Sequence, residues 1–203
     1  MLLQDKTRTG KTRCPPGAAL FALGLLLVAA SALPAASPAL GSIIPRGGQR
    51  GTELDLNFNG DRLTDVQELL FYSPGFSLVE LKVTNPKHVL ARVRIAPDCR
   101  LGVHAMRLRT ATGISDMKTF FVGALAEVAE KEPNSDFSVP QKIELNSTVS
   151  GIVQNEDVDY YQFAVKKGQR ISAEIEAMRL GNTIFDPYIA IMNAGRFEIA
   201  SSD

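Results

Sequence analysis

From Thr52 the chain alternates for seven residues, with Leu54, Leu56 and Phe58 apolar and Glu53, Asp55 and Asn57 polar between them. A period of two puts one set of side chains on a core and the other in water, so this segment is predicted to be a half-buried strand. Further β-rich runs cover Glu68–Tyr72, Ser77–Thr84, Val89–Ile95, Val103–Arg109 and Thr119–Val122. Turn chemistry separates them at Ser73-Pro74-Gly75, Asn85-Pro86, Pro97-Asp98 and Thr112-Gly113. Short strands at near-regular spacing, with few helical patterns, predict an antiparallel β-sandwich.

The pattern changes at Ala124–Asn134, which is rich in Ala and Glu and runs into Pro133, Asn134 and Ser135, the composition of a linker. Strand-like runs then resume at Lys142–Leu145, Thr148–Val153, Tyr160–Val165, Arg170–Ala177, Tyr188–Met192 and Phe197–Ala200. Tyr161, Phe163 and Val165 share one face, as do Ile171, Ala173, Ile175 and Ala177. The fold class expected is therefore all-β, two small antiparallel β-sandwich modules over 45–123 and 137–203, joined by an acidic linker at 124–136. Only about 70 residues follow the linker, where a sandwich commonly takes about 100. The second module is accordingly expected to be truncated and to continue past Asp203.

At the other end, Lys6, Arg8, Lys11 and Arg13 precede the uncharged apolar run Ala18–Leu33, which closes in small residues. That order of charge, apolar run and small residues is that of a secretory signal peptide, expected within 1–40. Two trios fit the cleavage rule, Ala30-Ser31-Ala32 and Ser37-Pro38-Ala39, and the sequence leaves the choice open. The run holds about 16 apolar residues, short of the ~20 that span a bilayer, so no stable membrane insertion is expected after cleavage. No adjacent arginine pair precedes the run, and Cys14 lies ahead of it, where a lipidated cysteine would have to follow.

Composition adds exclusions. The chain has 45% hydrophobic and 22% charged residues, ordinary for a globular protein. Without the first forty residues, 18 basic side chains face 21 acidic ones, so nucleic acid is not an expected partner. Cys99 is then the one remaining cysteine, which excludes an internal disulfide and any multi-cysteine metal site.

Glu130-Lys131-Glu132-Pro133-Asn134, Thr148-Val149-Ser150-Gly151, Asp157-Val158-Asp159-Tyr160-Tyr161-Gln162-Phe163, Gly168-Gln169-Arg170 and Phe185-Asp186-Pro187-Tyr188 occur in this order. Together they resemble the bacterial pre-peptidase C-terminal domain, a relative of the collagen-binding domain of clostridial collagenases. The first half has Gly51-Thr52, Asn59-Gly60, Gly102-Val103-His104-Ala105 and Thr110-Ala111-Thr112-Gly113, and is similar to immunoglobulin-like modules of the IPT/TIG type. The resemblance implies an immunoglobulin-like module followed by a jelly-roll-like one, neither of them catalytic.

It also implies a calcium site, with Glu130, Glu132, Asn134, Glu156 and Asp159 as oxygen ligands. Hard oxygen donors from two segments suit Ca²⁺, which takes six to eight of them. The chain departs from the relatives at Ser135, which stands where they carry an acid, with Asp136 one place later. A second acidic run, Asn57, Asn59, Asp61, Asp65 and Glu68, has calcium-loop spacing but Arg62 at the position that needs glycine, so no such loop is expected. Tyr160, Tyr161, Phe163 and Tyr188 are candidates for an aromatic platform, though strand aromatics are more often core. Nucleophile-elbow, zinc-protease and phosphate-loop motifs are absent, and His88, His104 and Cys99 are the remaining candidates for a thiol and base pair.

The function expected is an exported, non-catalytic binding or spacer module of a larger secreted or cell-surface bacterial protein. Its partner would be an extracellular polymer or protein. The alternative is the N-terminal accessory region of a secreted peptidase or other hydrolase whose catalytic domain lies beyond Asp203.

Overall fold

The structure, a computed structural model, describes residues 36–154, 157–180 and 186–203. Those residues contain no α-helix, only β-strands and one 3₁₀ turn, Met178–Leu180. The leader expected over 1–40 lies outside the described residues except for its last five positions, and Ala39 and Leu40 open the first strand.

Two four-stranded sheets form the first sandwich. One has the order β1 (Ala39–Ile44), β3 (Glu53–Asp61), β6 (His88–Ile95), β5 (Phe76–Asn85), with every neighbour antiparallel. The other has the order β2 (Gly47–Gln49), β8 (Lys118–Gly123), β7 (Gly102–Thr110), β4 (Val66–Phe71). The chain passes from the first sheet to the second between Ile44 and Gly47, so β2 meets β8 in parallel while the other pairs of this sheet are antiparallel.

The alternation along β3 does what its period requires. Leu56 and Phe58 are fully buried, opposite Ala91 and Val89 of β6, while Glu53 and Asp55 point outwards to Arg94 and Arg92 at 2.9 and 2.8 Å. From the second sheet Leu69, Met106, Leu108, Phe120 and Val122 close the core, joined by Leu63 from the loop after β3. Burying a side chain of this size contributes about 1.5–3 kcal/mol, whereas exposed ion pairs add little. The sandwich therefore rests on its apolar filling.

Beyond Gly123 the strands form separate pairs. Within the expected linker, β9 (Ala126–Ala129) runs parallel to β11 (Ser147–Ser150). Next, β10 (Gln141–Lys142) is parallel to β12 (Tyr161–Gln162), and β13 (Ile189–Met192) forms an antiparallel hairpin with β14 (Glu198–Ser202). Parallel neighbours were not anticipated. They follow from the long excursions between the partners, since a parallel pair needs a crossover of a dozen or more residues and a tight hairpin gives only antiparallel ones.

The run Arg170–Ala177 is not a strand, although it alternates. Alternation reports side-chain polarity and does not by itself make a strand. The segment instead leads into the 3₁₀ turn, where Leu180 is buried. On the hairpin Tyr188, Phe197 and Ile199 are exposed.

Candidate functional site

The strand β9 delivers Glu130 and Glu132 to the start of the second half, and the loop entering β12 delivers Asp159. One carboxylate oxygen from each lies within 4.8 Å of the others. Asn134, also in the set implied by the resemblance, is fully buried beside them. Its main chain is fixed twice, the N–H donating to Glu132 Oε2 at 3.0 Å and the carbonyl accepting from the Tyr160 N–H at 2.9 Å. These bonds tie the segment after β9 to the start of β12.

One end of the Asn134 side-chain amide lies 3.1 Å from Asp159 Oδ1 and 2.9 Å from Glu132 Oε2. With its nitrogen turned towards them it donates to both carboxylates. With its oxygen turned towards them it completes an all-oxygen nest, whose repulsion a proton on Asp159 or a bound cation relieves. The donor set thus fits a hard cation such as Ca²⁺.

Glu130 is the most constrained of the three acids. Oε1 accepts from the Tyr161 hydroxyl, and Oε2 accepts from the Ile152 N–H at 2.9 Å. The carboxylate lies directly over Gly151, where a Cβ would stand 2.3 Å from Oε2, so only glycine leaves room for it. The Glu130 N–H donates in turn to Ser150 O at 3.1 Å, continuing the ladder between β9 and β11.

Crowded acids show the expected electrostatics. Burial, followed by repulsion from Glu130, Asp157 and Glu132, pushes the Asp159 carboxyl up to about 6. Burial and the bond to Glu130 hold the Tyr161 phenol above its ordinary value. Retention of the Asp159 proton and capture of a cation are therefore competing answers to the same repulsion.

Among the implied ligands, the structure brings together Glu130, Glu132, Asn134 and Asp159, while Glu156 lies outside the described residues. The residue at the departure point, Ser135, donates its hydroxyl to Asp157 Oδ1 at 3.3 Å. Asp136 does not replace the missing acid, because it accepts from the N–H and hydroxyl of Ser138, both at 2.7 Å, in a local turn. Tyr161 and Gly151 were not foreseen as parts of this site. Tyr161 reads in the sequence as one more strand aromatic, and Gly151 as a motif glycine without a partner.

The other candidates disperse. Of the second acidic run, Asp61 pairs with Lys87 at 3.4 Å, Asp65 accepts from the Ala111 N–H at 3.1 Å, and Glu68 in the other sheet pairs with Arg109 at 2.8 Å. The aromatic platform is not assembled either. Tyr160 packs edge-on to Phe137 at 5.7 Å, Tyr161 turns to Glu130, and the exposed Tyr188 donates to Glu198 at 2.6 Å. His104 is buried and held on both sides, with Nε2 2.6 Å from Arg100 O and Nδ1 3.0 Å from Ser73 Oγ. Exposed His88 turns Nδ1 to Asn59 Oδ1 at 2.7 Å, and Cys99 is buried beside Pro74. Neither histidine is joined to the thiol.

Fold and site together define an all-β sandwich protein carrying an acidic oxygen cluster in its second half. No family model matches the chain, and no curated protein does. Among solved structures it is similar to SGBP-B of the Bacteroides ovatus mixed-linkage glucan utilization locus, solved in complex with a mixed-linkage heptasaccharide. The identity is 15%, the match covers 53% of this chain and 26% of that one, and the TM-score is 0.34. The chain thus spans about a quarter of that neighbour's length. It is also similar to the BIgI domain of the beta protein from S. agalactiae, solved bound to CEACAM1, at 14% identity, 42% and 94% coverage and a TM-score of 0.29. Among the described residues, no helix is long and apolar enough to cross a membrane.

Proposed function

We propose that this chain is an exported, non-catalytic β module of a larger bacterial secreted or surface protein, and that Ca²⁺ binds between the segment after β9 and the loop before β12. The observation that carries the reading is the convergence of Glu130, Glu132 and Asp159 around the buried Asn134. Calcium there neutralises the carboxylates and fastens the outgoing segment of the first sandwich to the strands that follow. The module acts by binding and spacing, with an extracellular polymer or protein as partner. Export is supported by the cationic start and the apolar run Ala18–Leu33. The likeness of Glu130–Asp203 to the pre-peptidase C-terminal domain supports both the accessory role and the metal.

Calorimetric titration of the chain with CaCl₂, paired with thermal melts, tests the metal reading. The melting temperature rises with calcium, because a ligand that binds only the folded state stabilises it by mass action. The Glu130→Gln and Asp159→Asn double variant loses that rise. Absence of both heat and a melting shift at millimolar calcium overturns the assignment.

A further inference from the structure

Two small-residue trios, one closing the apolar run and one just after it, satisfy the cleavage rule of an export leader. The folded chain distinguishes them. The second trio, Ser37-Pro38-Ala39, is built into the sandwich. Ser37 O accepts from Arg62 Nε at 2.7 Å, Pro38 is buried, and Ala39 and Leu40 pair with Asp61 and Gly60 of β3. The Leu40 N–H donates to Asp116 Oδ2 at 3.3 Å, and Leu40 is only 2% exposed.

Distant parts of the chain are shaped to receive these residues. A Cβ at position 60 would stand 2.1 Å from Ala39 O, so only glycine admits the backbone there. A Cβ at position 113 would stand 3.3 Å from Ser37 Oγ, and Gly113 has φ of +159°. The lead-in to β1 thus has three independent receivers, Arg62, Gly60 and Gly113.

We infer that the leader is cut after Ala32, so that the exported chain begins at Leu33 and retains Ser37–Ala39 as the entry to β1. This rests on the export reading given above. A cut after Ala39 leaves Arg62 without its acceptor and Asp61 without its strand neighbour. It also places a charged α-amino group at the buried Leu40, a desolvation that the neighbouring Asp116 offsets only in part. The bond broken by hydrolysis is the Ala32–Leu33 peptide, with water supplying the new carboxylate and amine.

The test is to express the whole chain, from Met1, in a Gram-negative host and to read the first residue of the periplasmic product by intact mass and N-terminal peptide sequencing. Leu33 is the expected first residue. Ala32→Glu is expected to stop cleavage and accumulate the precursor, whereas Ala39→Glu leaves the cut in place. A periplasmic product beginning at Leu40, or at any residue other than Leu33, overturns the inference while leaving export intact. An uncut chain held in the cytoplasm overturns export and the inference with it.

Discussion

The Tyr161 hydroxyl donates to Oε1 of Glu130, joining β12 to the segment after β9 across 31 positions of sequence. Hydrogen bonds to charged groups contribute about 1.5–3 kcal/mol. Tyr161→Phe removes this one and leaves the ring in place. The variant should melt several degrees lower than the parent. It should also bind calcium about 10-fold more weakly, because a partner that orients a ligand acts through that ligand's position. An unchanged calcium affinity alongside a lowered melting temperature would restrict Tyr161 to a structural role.

Asp159 supplies a pH dependence whose sign can be worked out. Its carboxyl titrates near 3.8 when unfolded and is pushed up to about 6 when folded. The folded state therefore binds this proton more tightly. The resulting stabilisation is complete below pH 3.8 and is lost as pH rises through 6. In calcium-free buffer the melting temperature of the parent, taken relative to Asp159→Asn, should fall between pH 4 and 6. Millimolar calcium should reverse the difference above pH 6, because the cation then replaces the proton.

The sandwich was largely legible because its strands carry their environment in their pattern. Leu56 and Phe58 alternate with polar residues, so the register of β3 follows from polarity alone. The first strand was not legible. Gly41 and Ser42 interrupt its apolar positions, and it follows directly on the small-residue tract read as leader. In the second half the acids Glu130, Glu132 and Asp159 could be named through a resemblance, since their order along the chain is a motif. What holds them could not. The contact of Glu130 with Gly151 and Tyr161 joins segments far apart in sequence, and neither partner differs by residue type from an ordinary turn glycine or core aromatic.

Gly151 offers a steric test of the same cluster. A methyl group at this position would lie 2.3 Å from Glu130 Oε2, so Gly151→Ala must displace the carboxylate. Overpacking of this kind typically costs about 1–3 kcal/mol. The melting temperature should fall, and the calcium-dependent rise should shrink or vanish. Gly168→Ala is a useful control, since no atom lies within 4 Å of the corresponding Cβ and any loss there comes from its φ of +84° alone. It should lower the melting temperature and leave the calcium response intact.

Cys99, in the turn before β7, and His104, within it, are the residue types of a nucleophile and base. Their surroundings argue the opposite. Arg100 O can only accept, so Nε2 of His104 carries the proton it donates, and Nδ1 accepts from the Ser73 hydroxyl. Both ring nitrogens are thus committed within the sandwich. Burial, aided by the charge of Asp98, pushes the Cys99 thiol above its ordinary value, the reverse of what a reactive thiolate needs. Folded protein should therefore react with a thiol reagent many times more slowly than protein unfolded in denaturant, at the same pH. His104→Ala should speed the reaction by loosening the fold and lower the melting temperature, since two hydrogen bonds and a buried ring are lost together. A His104→Ala variant that keeps the parent's stability but reacts more slowly at Cys99 would instead reveal a base acting on the thiol.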